Sequence, residues 1–226
     1  MRIATYFCKE MPMPENKQVI SVRRVAEYGE VLTAEREVEA MLDLVSAEAA
    51  RIDSRFLEPA CGNGNFLTAI LRRKLETVAR QYKSKVADYE IQSLFALACV
   101  YGIDILPDNA QASRDRLARQ MTDAFRALYG KEPSESYQKS ARYILSKNIV
   151  CGDSLNGVEK ITFVQWSLIG EKFKREEYKF GHLTASCADL PLFGFTDGNP
   201  DKPVYQAKPI RELPLVPVLN IGDCDD

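Results

Sequence analysis

The sequence predicts an α/β fold built on a mostly parallel sheet, and three observations predict it. A short apolar stretch, Arg55-Phe56-Leu57-Glu58, passes through a turn with two glycines one residue apart, Gly62 and Gly64, into a helical pattern carrying Ile70, Leu71 and Leu75. A second run, Tyr101-Gly102-Ile103-Asp104-Ile105, is followed at Pro107 by a helix with Ala110, Leu117 and Phe125 on its apolar side. A third, Asn148-Ile149-Val150-Cys151, ends in the turn Gly152-Asp153-Ser154-Leu155. Strands that alternate with helices pair in parallel, because a crossover helix returns the chain to the same end of the sheet.

Composition sets the bounds. The chain has 226 residues, 46% of them hydrophobic, enough for one domain with a sizeable core. No apolar run reaches membrane-spanning length, and the N-terminus lacks the basic-then-apolar pattern of a signal peptide. The six cysteines form no C-x-x-C pair, so a reduced, cytoplasmic chain is expected. A single histidine, His182, excludes a histidine-based triad or metal site, and no metal is expected. The net charge of −2 does not support a chain that grips DNA alone through many phosphates. The basic clusters at Arg23-Arg24, Arg72-Arg73-Lys74 and between Arg114 and Arg119 read as solvated helix faces.

Taken in order, residues 1–28 show no period, and Met11-Pro12-Met13-Pro14 marks an irregular arm. Thr33 is placed to cap a helix whose apolar face is Val38, Met41, Leu42 and Val45, with Glu35, Glu37 and Glu39 in its early turns. The helix after the glycine turn runs to about Tyr82, and a second one spans about Tyr89 to Ala98. Residues 131–140 read as a polar loop. Residues 161–180 alternate as a hairpin about a Gly170 turn, with Phe173, Tyr178 and Phe180 on the return strand. From Ala188 onward the chain is proline-rich, carries a Thr196-Asp197-Gly198-Asn199 turn and ends in acidic residues, so extended or mobile polypeptide is expected.

The glycine-bearing bend is the most informative stretch. Glycine has no Cβ, so backbone N–H groups and the positive end of the next helix can approach a ligand there. A dinucleotide fingerprint would need glycine at position 67, where Leu67 stands, and a P-loop would end in Gly-Lys-Ser/Thr. Taken whole, Glu58-Pro59-Ala60-Cys61-Gly62-Asn63-Gly64-Asn65-Phe66-Leu67 resembles the cofactor-binding motif of S-adenosylmethionine-dependent DNA methyltransferases of the adenine-N6 type, found in restriction–modification systems. The alternative is an ordinary strand–turn–helix corner.

The resemblance implies a class I methyltransferase fold, a Rossmann-like three-layer sandwich, shortened here in its C-terminal half. It implies S-adenosylmethionine as cofactor, held by the residues from Glu58 to Phe66. Gly-Ile-Asp-Ile-Leu is similar to the second motif, which makes Asp104 the ribose ligand and packs Ile105 on the adenine. An exposed aspartate capping the Pro107 helix is the competing reading. Gly-Asp-Ser-Leu is similar to the third motif, which places Asp153 and Ser154 at the adenine amino group. A surface-turn aspartate competes with it. Gly29-Glu30-Val31 with Thr33 is similar to the segment that sets a threonine beside the methionine end, although Ala34 stands where the family has proline.

The family's catalytic Asn/Asp/Ser-Pro-Pro-aromatic element does not follow the fourth-strand position, Lys160 to Leu168. The Asn199-Pro200 pair lies in a polar segment. Gln165 and Trp166 are the replacement candidates, an amide and a ring for a flipped base. A cross-strand tryptophan in a hairpin is the plainer alternative. The expected organisation is an arm (1–28), a cofactor-binding domain (29–187) and a proline-rich tail (188–226). The expected function is DNA methylation, by this chain or by an assembly in which a partner subunit or second copy completes the sheet. The other expectation is an inactive cofactor- or partner-binding module.

Overall fold

The computed structural model describes residues 24, 26, 27, 31–182 and 207–225. The Met11–Pro14 stretch, the turn at 196–199 and the Asn199-Pro200 pair lie outside the described residues. Helices α1 (Glu35–Asp43) and α2 (Ser46–Ala50) lead into strand β1 (Phe56–Glu58). Helices α3 (Asn65–Tyr82) and α4 (Val86–Ala98) make the first crossover to β2 (Val100–Asp104). Helices α5 (Pro107–Tyr129) and α6 (Glu135–Asn148) make the second, to β3 (Ile149–Cys151). The three strands form one parallel sheet in the order β1-β2-β3, with Glu58 opposite Gly102 and Asp104 opposite Cys151. The chain is therefore of mixed α/β class. Among the described residues no helix is long and apolar enough to cross a membrane.

The helices form because their apolar residues recur every three to four positions. On α3, Leu67, Ile70, Leu71, Leu75 and Val78 are all buried. Pro107 sits in the first turn of α5, where its missing N–H costs nothing, and Gly130 ends that helix in a left-handed conformation (φ 66°). Buried Lys74 on α3 donates to the carbonyls of Arg51, Ile52 and Ser54 and so pins the turn that delivers β1, while burial draws its pKa down to about 8.

Three local expectations are corrected. Residues 131–140 are not all loop: α6 starts at Glu135, capped by Ser134, whose Oγ accepts from Tyr137 N at 3.2 Å. Its inward face is Tyr137, Ala141, Ile144 and Leu145, with the polar Ser140 and Asn148 also buried among them. Thr33 is not the cap of α1. Ala34 holds that position without any side-chain hydrogen bond. The third correction concerns residues 211–223 of the C-terminal segment, which are packed: β6 (Arg211–Pro217) and the 3-10 turns of Val218–Asp223 lie in the fold, with Val218 and Ile221 buried.

Strands β4 (Thr162–Ile169) and β5 (Lys172–Lys179) make the expected hairpin, and β6 joins it antiparallel in the order β4-β5-β6. β4 is thus no fourth strand of the parallel sheet. It lies against that sheet's face instead: Tyr101 Oη donates to Val164 O at 2.9 Å, the Tyr101 and Phe163 rings are 5.5 Å apart, and Arg55 donates to Trp166 O. Asn148 joins the two sheets. Its Nδ2 donates to the carbonyls of Ala98 and Val100, and its Oδ1 accepts from Trp166 Nε1 at 2.8 Å.

Candidate functional site at the carboxyl ends of the parallel strands

In an open α/β sheet the crevice outside the carboxyl ends of the strands is where ligands bind. Here that rim carries Glu58, the glycine bend, Asp104 with Ile105, and the turn after β3. The bend is tied to the end of the neighbouring strand. Cys61 N donates to Ile103 O at 2.8 Å, and Gly62 N donates to Asp104 Oδ2 at 2.8 Å. Gly62 (φ 52°) and Gly64 (φ 88°) are both left-handed, which explains two glycines one residue apart. A Cβ on Gly64 would stand 2.6 Å from Ser113 Oγ.

Gly64 is also the N-cap of α3. That helix has no side-chain cap and no acidic residue in its first turn, so among the described residues no side chain satisfies its first N–H groups. A cation adds to this: Arg116 Nη1 donates to Asn63 O, Asn63 Oδ1 and Asn65 Oδ1 at 2.9, 3.0 and 2.8 Å. Arg116 sets a positive charge on that side of the bend, with the Glu35 carboxylate close enough to act on it. Glu58 is its counterweight, a half-buried carboxyl whose contact is Ala60 N at 3.4 Å and whose pKa is raised by desolvation. Cys61 lies buried under the bend. Burial pushes its thiol up to about 12, which keeps it neutral.

Asp104 is engaged within the rim itself. The residue is 7% exposed, and its carboxylate holds the rim together. Oδ2 accepts from Gly62 N, while Oδ1 accepts from Leu106 N at 2.9 Å and Asn109 Nδ2 at 3.2 Å. A carboxylate offers about four acceptor positions, so at most one is left for a ribose hydroxyl, not two. Asp153 is similarly engaged. Its Oδ1 accepts from Leu155 N and Asn156 N, both at 2.9 Å, and its Oδ2 accepts from Asn156 Nδ2 at 3.2 Å. Those hydrogen bonds, the one from Asn156 N foremost, lower its pKa. Asp153 thus sits in the turn that its alternative reading describes, while Asp104, bonded to the start of the Pro107 helix, is buried and not the exposed cap of its own alternative.

Other expected residues fall at the rim. Thr33 is exposed and its carbonyl accepts from Asn65 Nδ2 at 3.1 Å, which sets it beside the bend. Leu32 lies over Gly62. Ile105 is 51% exposed, an apolar surface at the end of β2. Pro59 and Ala60 form the exposed start of the bend, Phe66 is half-buried on α3, and Ser154 follows Asp153 in the turn. That turn borders an open groove of about 540 Å³, lined by Val150, Cys151, Asn156, Lys160, Ile161 and Thr162 among others.

Gln165 and Trp166 do not form a catalytic pair. Successive residues of a strand face opposite sides of the sheet, so the amide and the ring cannot meet one substrate. Trp166 is fully buried, packed edge-on to Phe173 and Tyr143, and its Nε1–H is engaged by Asn148. Gln165 is half-buried opposite Glu176.

Arg116 is the site residue that sequence reasoning passed over within a basic cluster. A signal for it exists: Asn109, Ser113, Arg116 and Gln120 recur at helical spacing on α5. The first holds Asp104, the second abuts Gly64, the third grips Asn63 and Asn65, and Gln120 donates to Thr68 O. Set against family models, curated proteins and solved structures, the chain has no match.

Proposed function

We propose that this chain is the S-adenosylmethionine-binding part of a DNA methyltransferase of the adenine-N6 type, or a subunit of one, built on a shortened class I methyltransferase fold and working in the reduced cytoplasm. The observation that carries the reading is the rim itself. A glycine bend with an uncapped helix end and a half-buried guanidinium stands beside a carboxyl that no cation pairs among the described residues. That arrangement suits a ligand carrying a carboxylate and a cationic centre together, as the amino-acid end of this cofactor does. When bound, the cofactor supplies an electrophilic methyl group. The protein contributes placement: Gly62 to Gly64 at the carboxylate, Glu58 at the cationic centre, Asp104 at one ribose hydroxyl, and Ile105 as an apolar surface for the base. Thr33 stands at the outer side of the bend.

A second reading, a non-catalytic cofactor- or partner-binding module, is favoured by one observation. The aromatic ring expected to stack on a flipped base, Trp166, is sealed in the core. Titration calorimetry with S-adenosylmethionine, followed by mass spectrometry of DNA incubated with chain and cofactor, separates the two. Binding with N6-methyladenine formed supports the enzyme. Binding with no product, alone or with a partner subunit, supports the module, and no binding refutes the enzyme and the cofactor-binding form of the module.

A further inference from the structure

The turn that opens α3 has its acceptors filled and its donors left over. Cys61 O accepts from Gly64 N, and Gly64 O from Thr68 N, both at 2.9 Å. Asn63 O accepts from Arg116 Nη1 at 2.9 Å. The N–H groups of Asn65, Phe66 and Leu67, by contrast, have no acceptor among the described residues. A helix start leaves such donors over unless a side chain takes them.

A side chain suited to take them is close in sequence and is held away. Asn63 precedes Asn65 by two residues and Phe66 by three, the spacing at which an asparagine oxygen accepts from a backbone N–H and caps a helix. Its Oδ1 instead accepts from Arg116 Nη1 at 3.0 Å, the same nitrogen that holds Asn63 O. Asn65 is fixed at both ends of its amide. Its Oδ1 accepts from Arg116 Nη1 at 2.8 Å, and its Nδ2 donates to Thr33 O at 3.1 Å. Arg116 is half-buried on α5, and one turn further along Gln120 Nε2 donates to Thr68 O, which docks that face of α5 on the start of α3. Arg119 is the neighbouring cation and Glu35 the neighbouring carboxylate.

We propose that Arg116 is a positioning residue: it withholds the Asn63 amide oxygen from the start of α3 and so keeps those N–H groups open for the carboxylate of the ligand. Without the guanidinium, Asn63 caps the helix and occupies the donors itself. The role rests on the cofactor reading above and adds to it the residue that holds the bend ready for the ligand.

The test is calorimetry on the full chain with S-adenosylhomocysteine, each variant first checked for folding by thermal melting. Arg116→Met is expected to bind about tenfold more weakly, one hydrogen bond's worth. Adding Asn63→Ala to Arg116→Met removes the competing oxygen and recovers most of that loss. Arg119→Met removes a nearby charge but not the clamp, and keeps the affinity. Should Arg116→Met not fold, Arg116→Gln carries the same comparison with a smaller loss. Amide exchange followed by NMR gives a reading without ligand: the Asn65 and Phe66 amides exchange more slowly in Arg116→Met than in the unmodified chain. Unchanged affinity in Arg116→Met, a loss that Asn63→Ala does not recover, an equal loss in Arg119→Met, or amides that exchange no more slowly each overturns the proposal and leaves the cofactor reading intact. Failure of the unmodified chain to bind removes the cofactor reading and this role with it.

Discussion

Replacing Asp104 by asparagine separates a residue that builds the rim from one that merely touches a ligand there. The substitution keeps the shape and turns one acceptor oxygen into an NH2 group. If the nitrogen takes the place of Oδ2, it faces the Gly62 N–H; if it takes the place of Oδ1, it faces Leu106 N–H and the Asn109 amide. Either orientation sets donor against donor at a position only 7% exposed. An unsatisfied buried donor costs about 1–3 kcal/mol, and the hydrogen bonds that remain lose the assistance of the negative charge, so about 2–4 kcal/mol is expected. For a chain of 226 residues each kcal/mol moves the melting midpoint by about 2–4 °C, which gives a drop of about 5–15 °C. The assay is thermal and urea unfolding of the ligand-free chain. A midpoint within about 1 °C of the unmodified protein would rule out this role for the carboxylate. It would mean that the glycine bend holds its shape without the Asp104 carboxylate.

The remaining predictions concern neighbouring links. Gly64→Ala combines a left-handed backbone (φ 88°) with a Cβ 2.6 Å from Ser113 Oγ. A loss of about 2–4 kcal/mol is expected from the two together, read as a lower urea midpoint, with only the packing share recovered by adding Ser113→Gly. Trp166→Phe removes the hydrogen bond to Asn148 and leaves a gap in the core, so a loss of about 1.5–3 kcal/mol is expected. An unchanged stability for that variant would point to a solvent-facing ring. Glu58 holds its proton to higher pH in the folded chain than in the unfolded one, because burial disfavours its charge. Its ionisation therefore lowers stability as pH rises above the ordinary carboxylate range and through the raised value. Binding of a cationic ligand strengthens over the same window. Calorimetry from acid to neutral pH should show that rise in the unmodified chain and a flat profile in Glu58→Gln.

Local pattern made much of this fold legible. Each parallel strand is a short apolar run bounded by a turn, the helix at Pro107 announces its own start, and the β4–β5 hairpin alternates around Gly170 as a two-residue period requires. The helix α6 was hidden because Ser140 and Asn148 interrupt its apolar face, and both are polar residues whose partners lie elsewhere in the chain. β6 was hidden for a related reason. Pro214 breaks its pattern, yet an edge strand tolerates a proline that cannot donate to a neighbour.

Local pattern settles most of the elements and the glycine bend, though not α6 or β6, because hydrophobic period and glycine's missing Cβ act within a few residues of chain. Where each polar group finds its partner is settled by long-range packing. Asp104 meets Gly62 across 42 positions of sequence, and Trp166 meets Asn148 through the pairing of a different sheet. A carboxylate has few acceptor positions and a strand residue has one face. Once long-range packing has assigned them, they are no longer free for the roles that motif spacing alone suggests.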